Sequence, residues 1–371
     1  MTAILMGPYA AQLLGDMGAD VIKVESPSGD MVRDVGPMQH PRMGSLYLHV
    51  NRSKRGIAVD LKRPEGVELI KKLVADYDIV VEQFRPGVMD RLGVGYEALK
   101  AINPGLIYCA ITGYGQTGPY KDRAGHDMNY LAIAGVLGYN GRKASGPAPI
   151  SVQVADVAGG SCHAVMDILA AVIHRMKTGE GQFVDVSMTD AAFTLHALTA
   201  PPALVANIQP EREGTQLNGG SFYDCYETSD GRHFSVGGLE PQFFMQFCAA
   251  IGRPELAPQG MIIGDPAAVA ALKTRGIVPG LGTILVGMAV LLCFFSAFLD
   301  VSTDAVPRTS HVFLLVLALC AHHVFRDTNA WLRYGVVVVL LVAFAVFAAA
   351  PVRAPYPFAI ADDVRRVGIW V

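Results

Sequence analysis

Two residues of this chain are suited to proton chemistry, a histidine and an aspartate. His126 lies in "AGHDMNY" and Asp156 in "VADVAGG", each beside glycine or other small residues that let another group come close to the backbone. An imidazole and a carboxyl group facing one another across a bound molecule can exchange the roles of acid and base, each tuned by burial and by its neighbours. Two-base transfer of a carbon-bound proton needs that arrangement. A plainer reading has His126 packing at a helix end and Asp156 capping a helix that begins near Val157. Upstream, Gly113, Gly115, Gly118 and Pro119 punctuate "TGYGQTGP", marking tight turns where a ligand can approach the main chain.

The elements that position these residues read as an α/β alternation. "GPYAAQLLGDMGADVIKVE" is a helix leading into a strand, "RGIAVDL" a strand, "PEGVELIKKLVADY" an amphipathic helix with proline at its start, and "DIVVEQF" a strand. "LKAINPGLIYCAITGYG" is a short helix and a strand, the segment near Gly159 a buried helix, and "GEGQFVDVSMTDAAF" a turn, a strand and a helix. This order predicts an α/β parallel sheet with crossover helices, whose site lies beyond the carboxyl ends of the strands.

Length and composition bound the rest. The 371 residues leave room for two domains, 51% are hydrophobic and only 17% charged. A net charge of −3 supplies no basic field for nucleic acid, which is excluded as a partner. Cys109, Cys162, Cys225, Cys248, Cys293 and Cys320 include no C-x-x-C pair, and no secretory signal opens the chain. Neither a zinc site nor a disulfide framework is expected, and the thiols are read as buried and free. The apolar excess is local: runs over 281–299, 311–325 and 334–350 approach the length that crosses a bilayer. They predict an all-α, membrane-like tail with two or three spans, attached to a cytoplasmic catalytic part.

The ordered blocks "GDMGADVIKVE", "NRSKRGIAVDLK", "EQFRPGVMDRLGVGYEAL", "TGYGQTGP" and "GHDMNYLAIAG" resemble the family III CoA-transferase superfamily over about residues 4–259, and within it the α-methylacyl-CoA racemase branch. That resemblance implies a large Rossmann-like, CoA-binding α/β domain and a smaller one, an interlocked homodimer, and an acyl-CoA thioester as substrate. It implies no metal or redox cofactor, CoA being part of the substrate. His126 and Asp156 fall on the catalytic pair, and Glu240 in "GGLEPQF" on a glutamate that hydrogen-bonds the histidine. Asp127 is the rival carboxylate, expected to point elsewhere and to support the site rather than act in it. Transferases of the family use the aspartate as an acyl-accepting nucleophile, generally lack the histidine and carry a glycine-rich loop, whereas this chain has His126 and only "NGG" at 218–220. Racemisation is therefore the expected activity, with transfer through Asp156 as the alternative and a non-catalytic membrane fusion protein as a third reading.

An α-proton beside a thioester is removable only if the developing enolate is stabilised, and amides of the helix after Asp156 are the expected donors. The phosphates of CoA call for cations and turn amides. Candidates are Arg52, Lys54, Arg55, Lys62, Arg85 and Arg91, with Gly113, Tyr114, Gly115 and Tyr130 beside the thioester. Ser26 stands where close relatives carry a basic residue. Tyr130, Met188 and Phe222 are candidates for an apolar acyl surface, although core packing accounts equally for them.

Two departures from the family are expected to matter. An opening strand ahead of the first helix is missing, so the sheet should expose an edge or lose its centre. The family's C-terminal return is also missing. "AALKTRGIVPGLGTILVG" instead resembles the opening of methylenetetrahydrofolate dehydrogenase/cyclohydrolase. The expected organisation is 1–200 for the large domain, 201–260 for a partial small domain, 261–287 for the folate-enzyme-like fragment, 288–352 for membrane-like helices and 353–371 for a polar tail.

Overall fold

A computed structural model of the chain describes residues 1–227, 231–261, 266–274 and 368–370. The 371 residues divide into two compact units, 1–210 with 358–371, and 211–357.

The first unit opens with α1 (Met6–Asp16), β1 (Asp20–Glu25), α2 (Ser45–Val50), β2 (Lys54–Ala58), α3 (Pro64–Val74) and β3 (Ile79–Glu82). It continues through α4 (Val88–Arg91), α5 (Tyr96–Lys100), β4 (Ile107–Thr112), α6 (Asp127–Ile133) and α7 (Val136–Tyr139). A π-helical turn, Ala155–Cys162, runs directly into α8 (His163–Thr178), followed by β5 (Phe183–Ser187), α9 (Met188–Thr194) and α10 (Ala200–Ala206).

The second unit contains the antiparallel pair β6 (Asp224–Glu227) and β7 (His233–Val236), then α11 (Pro241–Ala250) and α12 (Pro266–Thr274). Its core gathers Phe222, Tyr226, Val236, Phe244, Cys248, Leu256 and Leu272.

The expected parallel sheet is present, with strand order β2-β1-β8-β3-β4-β5. β8 (Gly368–Trp370) pairs in parallel with both β1 and β3. This corrects the expectation of an open centre and a missing return: a segment from the far end of the sequence occupies the place between β1 and β3. Alternate strand residues divide between the two faces, as a period of two requires. Val21, Ile79, Val81, Ile107, Cys109 and Ile111 pack under α1, α6 and α8, while Ile22, Val24, Val80, Tyr108 and Ala110 pack with Ile70 and Val74 of α3. Covering both faces is what the unbroken burial of β3 and β4 demands.

Within the described residues, 155–178 is the one stretch long and apolar enough to cross a membrane. Here it is the helix whose Ala164, Val165, Ile168 and Ala171 pack on the sheet. The expected spans between 281 and 350, and the folate-enzyme-like fragment apart from its first helical residues, lie outside the described residues.

Candidate active site

The strands of the first unit are parallel, so the carboxyl ends of β1, β3, β4 and β5 share one edge. At that edge β4 runs into Gly113, whose carbonyl accepts hydrogen bonds from the Thr189 amide (3.0 Å) and the Thr189 hydroxyl (2.7 Å), tying the turn to the start of α9. Gly115 adopts φ +77°, which glycine enters freely, and lets the Gln116 amide reach the Asp185 carboxylate at 2.9 Å.

Gly113 and Gly125 serve a purpose that sequence reasoning missed. A side chain on either would collide with the ring of Tyr130, whose hydroxyl donates to the Gly125 carbonyl at 2.6 Å. Tyr114 stands edge-on to Tyr130, with centroids 5.2 Å apart. These two glycines make room for a buried aromatic anchor that fixes the loop before α6.

That loop delivers His126. The residue is extended immediately before α6, its amide donates to the Asn129 side-chain oxygen at 3.0 Å, and its imidazole is exposed. The histidine thus does sit at a helix start, as the plainer reading has it, within a capping box shared with Asn129, and it stays exposed.

Asp156 is not a cap. It lies inside the first turn of the π-helical segment, which begins after Val154. Gly159 and Gly160 of that segment face Met188 and Met6, so their lack of a side chain admits α9 and α1 rather than a ligand. π-Helical turns occur frequently at functional sites. The Asp156 amide donates to Asp127 Oδ1 at 2.9 Å, which corrects the expectation that Asp127 points away. The amide of Val157 is likewise used, by the Gln153 carbonyl at 2.9 Å. Neither is therefore free to serve an enolate oxygen, contrary to expectation.

The Asp156 carboxyl is half-buried and its Oδ1 is buried with no hydrogen-bond partner. Burial, reinforced by the charge of Asp127 and opposed by that of His126, pushes its pKa up to about 6. The Asp156 carboxyl therefore feels the charge of the His126 imidazole. Tyr130 belongs to the same environment: burial and then Asp156 push its phenol up to about 12, while Arg85 pulls it down.

The basic candidates separate into two groups. Arg52 binds Asp16 at 2.6 Å at the end of α1, and Arg55 grips Asp20 through two nitrogens and also donates to the Tyr77 hydroxyl at 2.8 Å. Asp20 begins β1, so this pair lies at the opposite edge of the sheet from His126. The Lys54 amine donates to the carbonyls of Pro8 (2.6 Å) and Val50 (2.8 Å) and to Asn51 Oδ1 (3.0 Å). Burial, and next the charge of Lys23, press its pKa down to about 6. Lys54 is thus committed to main-chain carbonyls, while Arg52 and Arg55 hold carboxylates yet keep more than half of their side-chain surface exposed. Lys62, Arg85 and Arg91 are exposed and make no ion pair with any described residue. Arg85 follows β3 at the carboxyl edge, the side on which Tyr130 and Asp156 lie.

Met188 is buried in the core of the first unit, and Phe222 is buried in that of the second, where its ring stacks 4.0 Å from Phe244. For both, packing displaces the acyl-surface reading. Glu240 also belongs to the second unit; it is exposed and precedes α11, its carbonyl accepting the Phe243 amide at 2.9 Å.

CoA-transferase family III matches residues 1–273. Human succinyl-CoA:glutarate CoA-transferase is 39% identical over 257 residues, 69% of this chain and 58% of that protein. Human α-methylacyl-CoA racemase is 34% identical over 270 residues, 71% of this chain and 66% of that protein. The chain thus spans less than two thirds of either relative's length. A CAIB/BAIF family protein from Brucella suis superposes with a TM-score of 0.66 at 35% identity, covering 78% of this chain and 79% of that one.

Proposed function

Because the chain belongs to CoA-transferase family III, we propose that it epimerises 2-methylacyl-CoA thioesters by two-base transfer of the α-proton. One observation carries this reading: an exposed imidazole and a carboxyl of raised proton affinity share one electrostatic environment at the carboxyl edge of the sheet. In one direction the Asp156 carboxylate takes the proton from C2 as electrons move onto the thioester oxygen. The His126 imidazolium then returns a proton to the opposite face, and the enolate collapses to the epimeric thioester. The reverse reaction exchanges the roles. A carboxyl group with a pKa of about 6 suits this, since a proton carrier works best near the ambient pH. Lys62, Arg85 and Arg91 are the exposed candidates, unpaired among the described residues, to meet CoA phosphates, and CoA enters only as part of the substrate.

Deuterium wash-in at C2 of 2-methylacyl-CoA in buffered D₂O tests the reading. His126→Ala and Asp156→Ala should each slow exchange by about 10²- to 10⁴-fold. Wild-type exchange no faster than in the double variant would end the claim.

A second reading is favoured by the names of relatives: the human protein at 39% identity and an Agrobacterium fabrum protein at 38% are both CoA-transferases. There the Asp156 carboxylate attacks the thioester carbonyl, CoA thiolate leaves and an acyl anhydride forms on the enzyme. Trapping of Asp156 by hydroxylamine, dependent on acyl-CoA, identifies that path. Under either reading we expect a homodimer. The first unit leaves Met176, Leu198, Leu204 and Val205 between 67% and 87% exposed, an apolar surface suited to a second copy.

A further inference from the structure

We propose that Asp127 is a positioning residue for Asp156, fastening the π-helical turn to the start of α6 and so fixing the spacing of the two bases. The inference rests on the two-base reading above and adds a residue to it. Asp127 is the first residue of α6 and directly follows His126. Asp156 is the second residue of a segment whose opening amides have no intrahelical acceptor. The 2.9 Å bond from the Asp156 amide to Asp127 Oδ1 satisfies one of them with a side chain from the neighbouring helix. A local cap would satisfy the amide equally well without involving α6. The observed bond joins the main chain of one base to the residue beside the other, 29 positions away in sequence.

The same carboxylate has an electrostatic effect. Its negative charge adds to burial in raising the proton affinity of Asp156, while His126 acts in the opposite sense. Among the described residues, His126, Asp127 and Tyr130, all on or beside the first turn of α6, are the titratable groups whose charge couples to that of Asp156. On other elements, the Asp185 carboxylate of β5 is engaged by the Gln116 amide at 2.9 Å. Asp127 thus performs two separable tasks, geometric through its oxygen and electrostatic through its charge.

Two substitutions in the full chain separate these tasks. Asp127→Asn keeps an oxygen for the Asp156 amide and removes the charge. The pKa of Asp156, read from its side-chain carboxyl carbon by ¹³C NMR, should fall from about 6 toward the ordinary 3.8. The acid limb of the exchange rate should move to lower pH with it, with kcat near neutrality largely kept. Asp127→Ala removes both, and kcat should drop by about 10- to 100-fold with KM little changed, since a displaced base costs rate rather than binding. Partial rescue by asparagine relative to alanine marks the positioning role. The proposal is overturned if Asp127→Asn leaves the Asp156 titration unmoved, or if Asp127→Ala retains kcat within about twofold of wild type. The NMR titration needs no turnover. If the wild-type protein exchanges no deuterium, the racemase reading fails while the link between Asp127 and Asp156 is still decided.

Discussion

The corner of the first unit built by α1, α2, β1 and β2 and the corner built by the ends of β3 and β4 with α6 and the π-helical turn treat charge in opposite ways. In the first, the cations are matched except Lys54, which is held by carbonyls and Asn51 alone. Lys23 and Asp30 are both buried and form a 2.9 Å pair. Arg33 holds Glu25 through two nitrogens, and with the Asp30 amide and Tyr47 it keeps the Glu25 carboxyl below the usual range against the effect of burial. Arg52 and Arg55 meet Asp16 and Asp20. In the second corner charge is left unmatched. Asp156 Oδ1 has no partner, burial pushes buried Glu82 up to about 7 although the Phe84 amide bonds it, and Arg85 and Arg91 lack a described carboxylate. A protein can leave groups in this condition only by giving up stability, and such groups mark functional sites more often than structural ones.

Two substitutions test the contrast most strongly. Asp156→Asn should reduce deuterium exchange by about 10²- to 10⁴-fold, yet the melting temperature at pH 7.5 should hold or rise, because a half-buried carboxylate is removed. Lys23→Met should do the reverse. It leaves the Asp30 carboxylate buried without its ammonium, at a cost of about 3–5 kcal/mol in urea unfolding, with kcat/KM unchanged in the folded fraction. A melting temperature that fell for Asp156→Asn and held for Lys23→Met would invert the assignment of the two corners.

Glu82→Gln sharpens the comparison through pH. The folded pKa of Glu82 lies above its ordinary value of 4.5, so its contribution to stability is present below about pH 4.5 and is lost as the pH rises through about 7. Glutamine still accepts the Phe84 amide and cannot ionise. At pH 8 it should therefore stabilise the protein by up to about 3 kcal/mol, with no gain at pH 4. Parallel urea titrations of wild type and variant at the two pH values measure this; equal differences at both would show that Glu82 is not the titrating group.

The fold was legible in the sequence wherever periodicity carried it. The runs "DIVVE" and "LIYCAIT" announce strands buried on both faces, and the helix from Pro64 carries its own start signal. β8 was not legible, because three residues far from the rest of the sheet carry no local sign of their partners. Of the site, His126 and Asp156 were recognisable by type and setting, and Asp127 as a supporting carboxylate, but its direction was misread. Adjacency to His126 suggested divergence, whereas the bond that matters runs from the main chain of Asp156. The "NRSKR" block misled for a related reason. The partners of Arg52 and Arg55 lie 36 and 35 positions upstream, so nothing local distinguishes a paired cation from an available one.

That last distinction supplies the smallest test. Arg85→Ala and Arg55→Ala remove the same charge from opposite edges of one sheet. Arg85 is exposed, unpaired among the described residues, and close enough to lower the pKa of Tyr130 beside Asp156. Losing it should raise KM for acyl-CoA about tenfold, the scale of one charge-assisted contact to phosphate, about 1.4 kcal/mol, and leave the melting temperature alone. Adding salt to the wild type should weaken binding in the same direction, as screening of an exposed ionic contact requires. Arg55 is bound to Asp20 and Tyr77 at the amino ends of β1 and β2, so its loss should leave KM and the salt dependence unchanged. Equal KM increases for the two variants would mean that proximity to the carboxyl edge does not select the phosphate-binding cations.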